Sequence, residues 1–108
     1  MNEADWKQYS ALVPVVRERY LAARNQELAV LLANEAEEAS ERFWEAEGRV
    51  RDIARILNNC FGHHSRSNMH FSLVLMIGHG LLTREDTTDF SDELKATLAK
   101  IFDERKRG

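Results

Sequence analysis

Residues 32–60 read LANEAEEASERFWEAEGRVRDIARILNNC, and their small and apolar members recur at alternating intervals of four and three. Leu32, Ala36, Ala39, Phe43, Ala46, Val50, Ile53, Leu57 and Cys60 keep that spacing throughout. A period near 3.5 holds an apolar stripe on one side of a helix and turns it toward a neighbouring helix, so this stretch predicts a heptad seam. Its flanks suit water: Glu38 precedes Arg42, Glu45 precedes Arg49 and Glu47 precedes Arg51. Each acid-before-base pair at i, i+4 adds roughly 0.2 to 0.5 kcal/mol of helix stability. Gly48 is the misfit, at about 1 kcal/mol against alanine, and lies opposite the seam. Trp44 is off the seam too. A second packing layer is its expected place, with an exposed docking residue as the alternative.

Upstream, Trp6, Tyr9, Val13, Val16 and Tyr20 follow the same spacing and predict an amphipathic helix from about Glu3. Pro14 falls inside that pattern. Proline disfavours helix in the residue before it and suits the first turn of a new one, so the expectation is a short helix to about Leu12 and a second from Pro14 or Val15; one kinked helix is the alternative. No further proline occurs between Val15 and Cys60. One helix over that span would be about 69 Å long, whereas a compact domain of this length has a radius of gyration near 13 Å. Such a helix must fold back, near Asn25 or Asn34, or be covered by another chain. The regular seam offers no strong stop, which favours a homodimer of paired long helices.

Downstream, Asn58 to Gly62 ends the helix, with glycine suited to a left-handed C-terminal position. Ser65 or Ser67 then caps a third helix over about Met69 to Gly78, apolar almost all round. Gly78-His79-Gly80 closes it. Thr83 to Asp86 predicts a single turn, and Ser91 opens a last helix whose apolar face is Leu94, Leu98, Ile101 and Phe102. Arg105, Lys106 and Arg107 complement that helix's negative end. The fold class expected is therefore all-α: one domain over residues 1–108, a small bundle carrying a long heptad-patterned helix.

At 108 residues, a chain can bury a core without staples. The single cysteine, Cys60, allows no internal disulfide, and the N-terminus does not read as a targeting signal, which leads to a cytoplasmic expectation. The longest apolar run, Phe71 to Ile77, is far short of the roughly 20 residues that span a bilayer. The net charge of −3 is unevenly distributed: residues 1–47 carry ten acids and five bases, residues 48–84 one acid and five bases, and residues 85–108 seven acids and five bases. All four histidines also lie in the basic middle block.

Cys60, His63, His64, His70 and His79 are the residues with metal-ligand chemistry, but they lack paired Cys-x2-Cys or His-x3-His spacing. Ordinary core and surface roles are the better reading, and no metal or cofactor is assigned. Glu-x2-His pairs, a nucleophile elbow and phosphate-binding glycine loops are missing from the sequence, so enzyme activity has little support. Arg49, Arg51, Arg55 and Arg66 could meet phosphates, yet an isoelectric point near 5.8 disfavours nucleic acid. Arg55 and Arg66 read as lacking an acidic partner. With His63, His64 and Trp44 they form the expected partner-binding set. The function expected is a protein-interaction or regulatory module of adaptor or inhibitor type; a small metal-binding or enzymatic domain on the histidines, or a weak nucleic-acid binder, are the alternatives.

Overall fold

A computed structural model describes residues 2–107, apart from the Arg107 side chain. It has four α-helices and, among the described residues, no strand: α1 (Glu3–Ala33), α2 (Ala39–Phe61), α3 (Met69–Gly78) and α4 (Asp92–Arg107), with single 3₁₀ turns at Arg66–Asn68 and Glu85–Thr87. The all-α bundle expected from the heptad seam is the observed architecture.

α1 starts where Asn2 accepts the Ala4 and Asp5 backbone N–H groups on its side-chain oxygen at 2.8 and 3.4 Å. It then runs unbroken through Pro14, which overturns the expected division at that residue. The reason is energetic. Tyr9, Val13, Val16 and Tyr20 are all buried and keep one phase across the proline, so their burial contributes roughly 6 to 12 kcal/mol, against about 3 kcal/mol for the lost bond and the ring's crowding. Pro14 itself is exposed.

The seam does not stay on one helix. α1 stops at Ala33, and the chain turns at Asn34, whose side chain accepts the Ala36 N–H at 3.2 Å, an Asx turn. Arg42 Nη1 closes the reversal by donating to the Leu32 carbonyl at 2.6 Å. Leu32 therefore ends α1, Ala36 sits in the turn, and only the residues from Ala39 onward ride on α2. The fold-back at Asn34 replaces the uninterrupted helix that favoured paired long helices.

α2 ends at Gly62, whose φ of −68° is right-handed, not the left-handed conformation expected there. Glycine is needed at that point for space, since a Cβ would collide with the Asn58 carbonyl oxygen. The left-handed cap occurs instead after α3: Gly80 has φ +79°, Leu81 N–H donates to the Met76 carbonyl and Gly80 N–H to that of Ile77, a Schellman closure.

The core gathers Tyr9, Val13, Val16 and Tyr20 of α1, Cys60 of α2, Met69, Leu73, Met76 and Ile77 of α3, Leu81, Leu82 and Phe90 of the following loop, and Leu98 of α4. Two polar ties hold these layers. Buried Asp5 accepts the Ser91 N–H and O–H at 2.7 and 2.6 Å, fixing the start of α4 to α1. Arg19 grips Asp86 at 3.0 and 2.6 Å and donates to the Leu81 carbonyl at 3.0 Å, fixing the α3–α4 loop to α1. α2 contributes the fully buried Cys60 to this cluster, with Ile53, Ile56, Leu57 and Phe61 half-buried against it, all from its C-terminal half. The α1–α2 hairpin consequently projects beyond the core, and the molecule measures 52 × 29 × 17 Å.

Candidate interaction surface

Helix spacing puts Leu21, Leu28 and Leu32 on one side of α1, and Phe43, Val50 and Leu57 on one side of α2. Folding back at Asn34 brings the two rows together along the hairpin. Near the core they line a groove of about 160 Å³, with Leu21 and Leu28 on one wall and Val50, Ile53, Ala54 and Leu57 on the other. Toward the tip the rows lie open: Leu32 is 48%, Val50 50% and Phe43 55% exposed. Of the seam, Ala46 and Cys60 are buried, Ile53 and Leu57 half-buried, and Leu32, Ala36, Ala39, Phe43 and Val50 face solvent.

Trp44 belongs to the tip but to a different side of α2. It is 65% exposed and meets Phe43 edge-on at 4.9 Å between ring centroids. The second packing layer expected for it is absent, and Trp44 lies exposed. A large aromatic without cover is unusual, because full burial of such a side chain contributes roughly 1.5 to 3 kcal/mol.

Charge on the hairpin is graded. Glu35, Glu37, Glu38, Glu41, Glu45 and Glu47 surround the tip with Arg42 as the sole base of residues 34–47. Farther along α2, Arg49, Arg51 and Arg55 outnumber Asp52. Arg49 pairs with Glu45 at 3.3 Å and Arg51 with Glu47 at 2.7 Å, as their spacing predicts. The third predicted pair does not form, because Arg42 turns to the Leu32 carbonyl instead. Glu35, Glu37, Glu38 and Glu41 have no ion-pair partner among the described residues.

The expected partner-binding set is divided between the two ends of α2. Trp44 is at the tip, while His63, His64 and Arg66 follow the helix's other end, about 25 Å away at 1.5 Å per residue. Neither arginine lacks a partner. Arg55 bonds Asp52 at 3.1 Å, and Arg66 bonds Glu3 at 2.7 Å while lying 5.2 Å over the Trp6 ring. That hydrogen bond with Arg66 holds the Glu3 carboxyl below its ordinary pKa. His64 stacks on Tyr9 with centroids 5.6 Å apart and lies tilted against Trp6 at 4.8 Å, and its Nε2 lies 3.5 Å from Ser10 Oγ. These contacts seal the 62–68 loop onto α1. His63 is exposed.

The histidine and cysteine candidates are not gathered into a metal centre: among the described residues no three His, Cys, Asp or Glu side chains form a metal-holding group. Cys60 is fully buried, and burial pushes its thiol up to about 11, so the thiolate that binds metals or attacks electrophiles is disfavoured. His70 borders a cleft of about 450 Å³ beside Asp5, Ser91 and Glu93. The buried carboxylate of that cleft, Asp5, is committed to Ser91.

The Asp5–Ser91 and Arg66–Glu3 ties were not visible in the sequence, since 86 and 63 residues separate the partners. The Asp52–Arg55 pair was visible, at i, i+3. No helix among the described residues is long and apolar enough to cross a membrane. No family model, no curated protein and no solved structure matches this chain.

Proposed function

We propose that this chain is a non-catalytic interaction module of adaptor or inhibitor type, acting in the cytoplasm, whose working surface is the projecting α1–α2 hairpin. It binds proteins, a second copy of itself among them, and carries out no chemistry. One observation supports this above the rest: Leu32, Phe43, Trp44 and Val50 stand about half exposed on an element held outside the core. Interfaces are built from such clusters, apolar and aromatic at the centre with a charged rim. Nucleic acid is the weaker partner class, because Arg49, Arg51, Arg55 and Arg66 each already carry an acid and an acidic tip repels phosphate.

The test is site-specific photocrosslinking in the native host, with a photoreactive phenylalanine analogue at position 44 and, as control, at exposed Lys100 on α4. Discrete protein adducts at 44 that are missing at 100 are the expected result. An adduct at twice the chain's mass reports a second copy, and other masses a different protein. Unmodified chain alone at position 44 would sink the reading.

A further inference from the structure

We infer that the apolar groove face of the hairpin is a self-association surface on which a second copy packs antiparallel, acidic half against basic half. This rests on the reading of the hairpin as the working surface, and names one of its partners. The face is continuous: Leu21 and Leu28 meet Val50 and Leu57 in the groove, and Leu32 and Phe43 extend the same rows toward the tip by helical spacing. Two stacked hairpins of this kind form a four-helix bundle, the arrangement in which facing apolar rows are buried.

The surface area agrees with that occupant. A folded monomer of 12.5 kDa is expected to expose about 6,200 Å², whereas this chain exposes 7,171 Å². The excess of about 1,000 Å² is close to the roughly 800 Å² per partner that a standard stable interface buries. The radius of gyration, 16.5 Å, likewise exceeds the roughly 13 Å of a compact domain this long.

Charge selects the orientation. Residues 34–47 hold six glutamates and one arginine, a net −5, and residues 48–57 hold three arginines and one aspartate, a net +2. Parallel stacking would set two tips of −5 side by side. Antiparallel stacking about an axis near Val50 separates the two tips and sets Glu45 of each copy level with Arg55 of the other. Trp44, on a different side of α2, remains free for another partner.

Sedimentation equilibrium of the full chain from about 1 to 100 μM tests association, and an electron-electron distance between nitroxides on Ser40→Cys tests its sense. Ser40 is exposed and Cys60 is buried, so only the introduced thiol takes the label. The expected mass rises to twice 12.5 kDa. Ten residues from the axis on each copy put the labels about 30 Å apart, against about 10 to 15 Å in a parallel pair. Val50→Glu should weaken association at least tenfold. Val50→Ala, which keeps the helix and adds no charge, should weaken it less, with helical circular dichroism unchanged. A 12.5 kDa species at every concentration, a dimer that Val50→Glu leaves intact, or a label distance near 10 Å would each overturn the proposal. The adducts formed at position 44 with other proteins judge the wider reading separately.

Discussion

Asp5 is the side chain whose loss the fold should feel most for its size. It is 5% exposed, and its two oxygens accept the Ser91 N–H at 2.7 Å and the Ser91 O–H at 2.6 Å. Ser91 in turn caps α4 by accepting the Leu94 N–H at 3.3 Å. Asp5→Ala leaves one backbone and one hydroxyl donor in a part-buried place without an acceptor. Hydrogen bonds to a charged group contribute roughly 1.5 to 3 kcal/mol each. The carboxylate's own desolvation is relieved when it is removed, so the net cost should be about 3 kcal/mol and not the full sum. For a domain of this length that corresponds to a fall in Tm on the order of 15 °C. Urea unfolding monitored by helical circular dichroism measures it. Ser91→Ala removes one of the two bonds and the cap, and should cost about half as much. The double variant should then cost clearly less than the two single losses together, because they share partners. A cost for Asp5→Ala within about 0.5 kcal/mol of zero would refute the claim that this tie holds α4 to α1.

Two further outcomes follow from the same contacts. Pro14→Ala restores a backbone donor on an exposed helical face and should raise stability by about 1 to 2 kcal/mol, the regained bond being partly offset by the freer unfolded chain; equilibrium urea unfolding checks it, and a destabilised variant would contradict the unbroken course of α1. At Asp86, burial pushes the carboxyl up, but the Arg19 guanidinium and the Thr83 donors outweigh it and the net pKa is lowered. A lowered folded pKa gives stability that is fully present above the unfolded value near 3.9 and is lost as pH falls through the folded one. Asp86→Asn should therefore be less stable than the parent at pH 7, with the gap closing below about pH 4; thermal melts across pH 2 to 7 read this, and a gap that persists at pH 2 would contradict it.

What the sequence made legible were features with a local cause. The all-α class, the glycine closure after α3 and the Ser91 start of α4 each depend on neighbours within one or two turns, and each is present. Asn34 is one of the two fold-back points the sequence offers, but the spacing argues against using it: Leu32, Ala36 and Ala39 keep intervals of four and three straight through five residues that are not helical. An Asx turn from Asn34 to Ala36, closed by Arg42 reaching back ten residues, leaves little trace in such a pattern. Pro14 misled in the opposite sense, since its local cost is visible in the sequence and the burial that offsets it is not. The basic block read as a free patch because Glu3 lies 63 residues from Arg66, although Asp52 stood three residues from Arg55.

The exposed apolar rows of the hairpin follow from element lengths. At 1.5 Å per residue α1 is about 46 Å long and α2 about 34 Å, while α3 and α4, the elements available to cover them, are about 15 and 24 Å. The core covers the first five turns of α1 and the end of α2 from Ile53 to Phe61. Beyond that level α1 and α2 have only each other, and two helices in contact bury one stripe apiece. Here that stripe includes Ala46, whose small side chain contributes little burial by itself. A pair with so little packing would fray if it stood alone, since isolated helices gain most of their stability from tertiary contact. The neighbouring rows of leucine, phenylalanine and valine are what a second pair of helices would bury. Polar substitution of Phe43 or Val50 would make the monomer more soluble without loss to its core. The proposed interface would account for their apolar character.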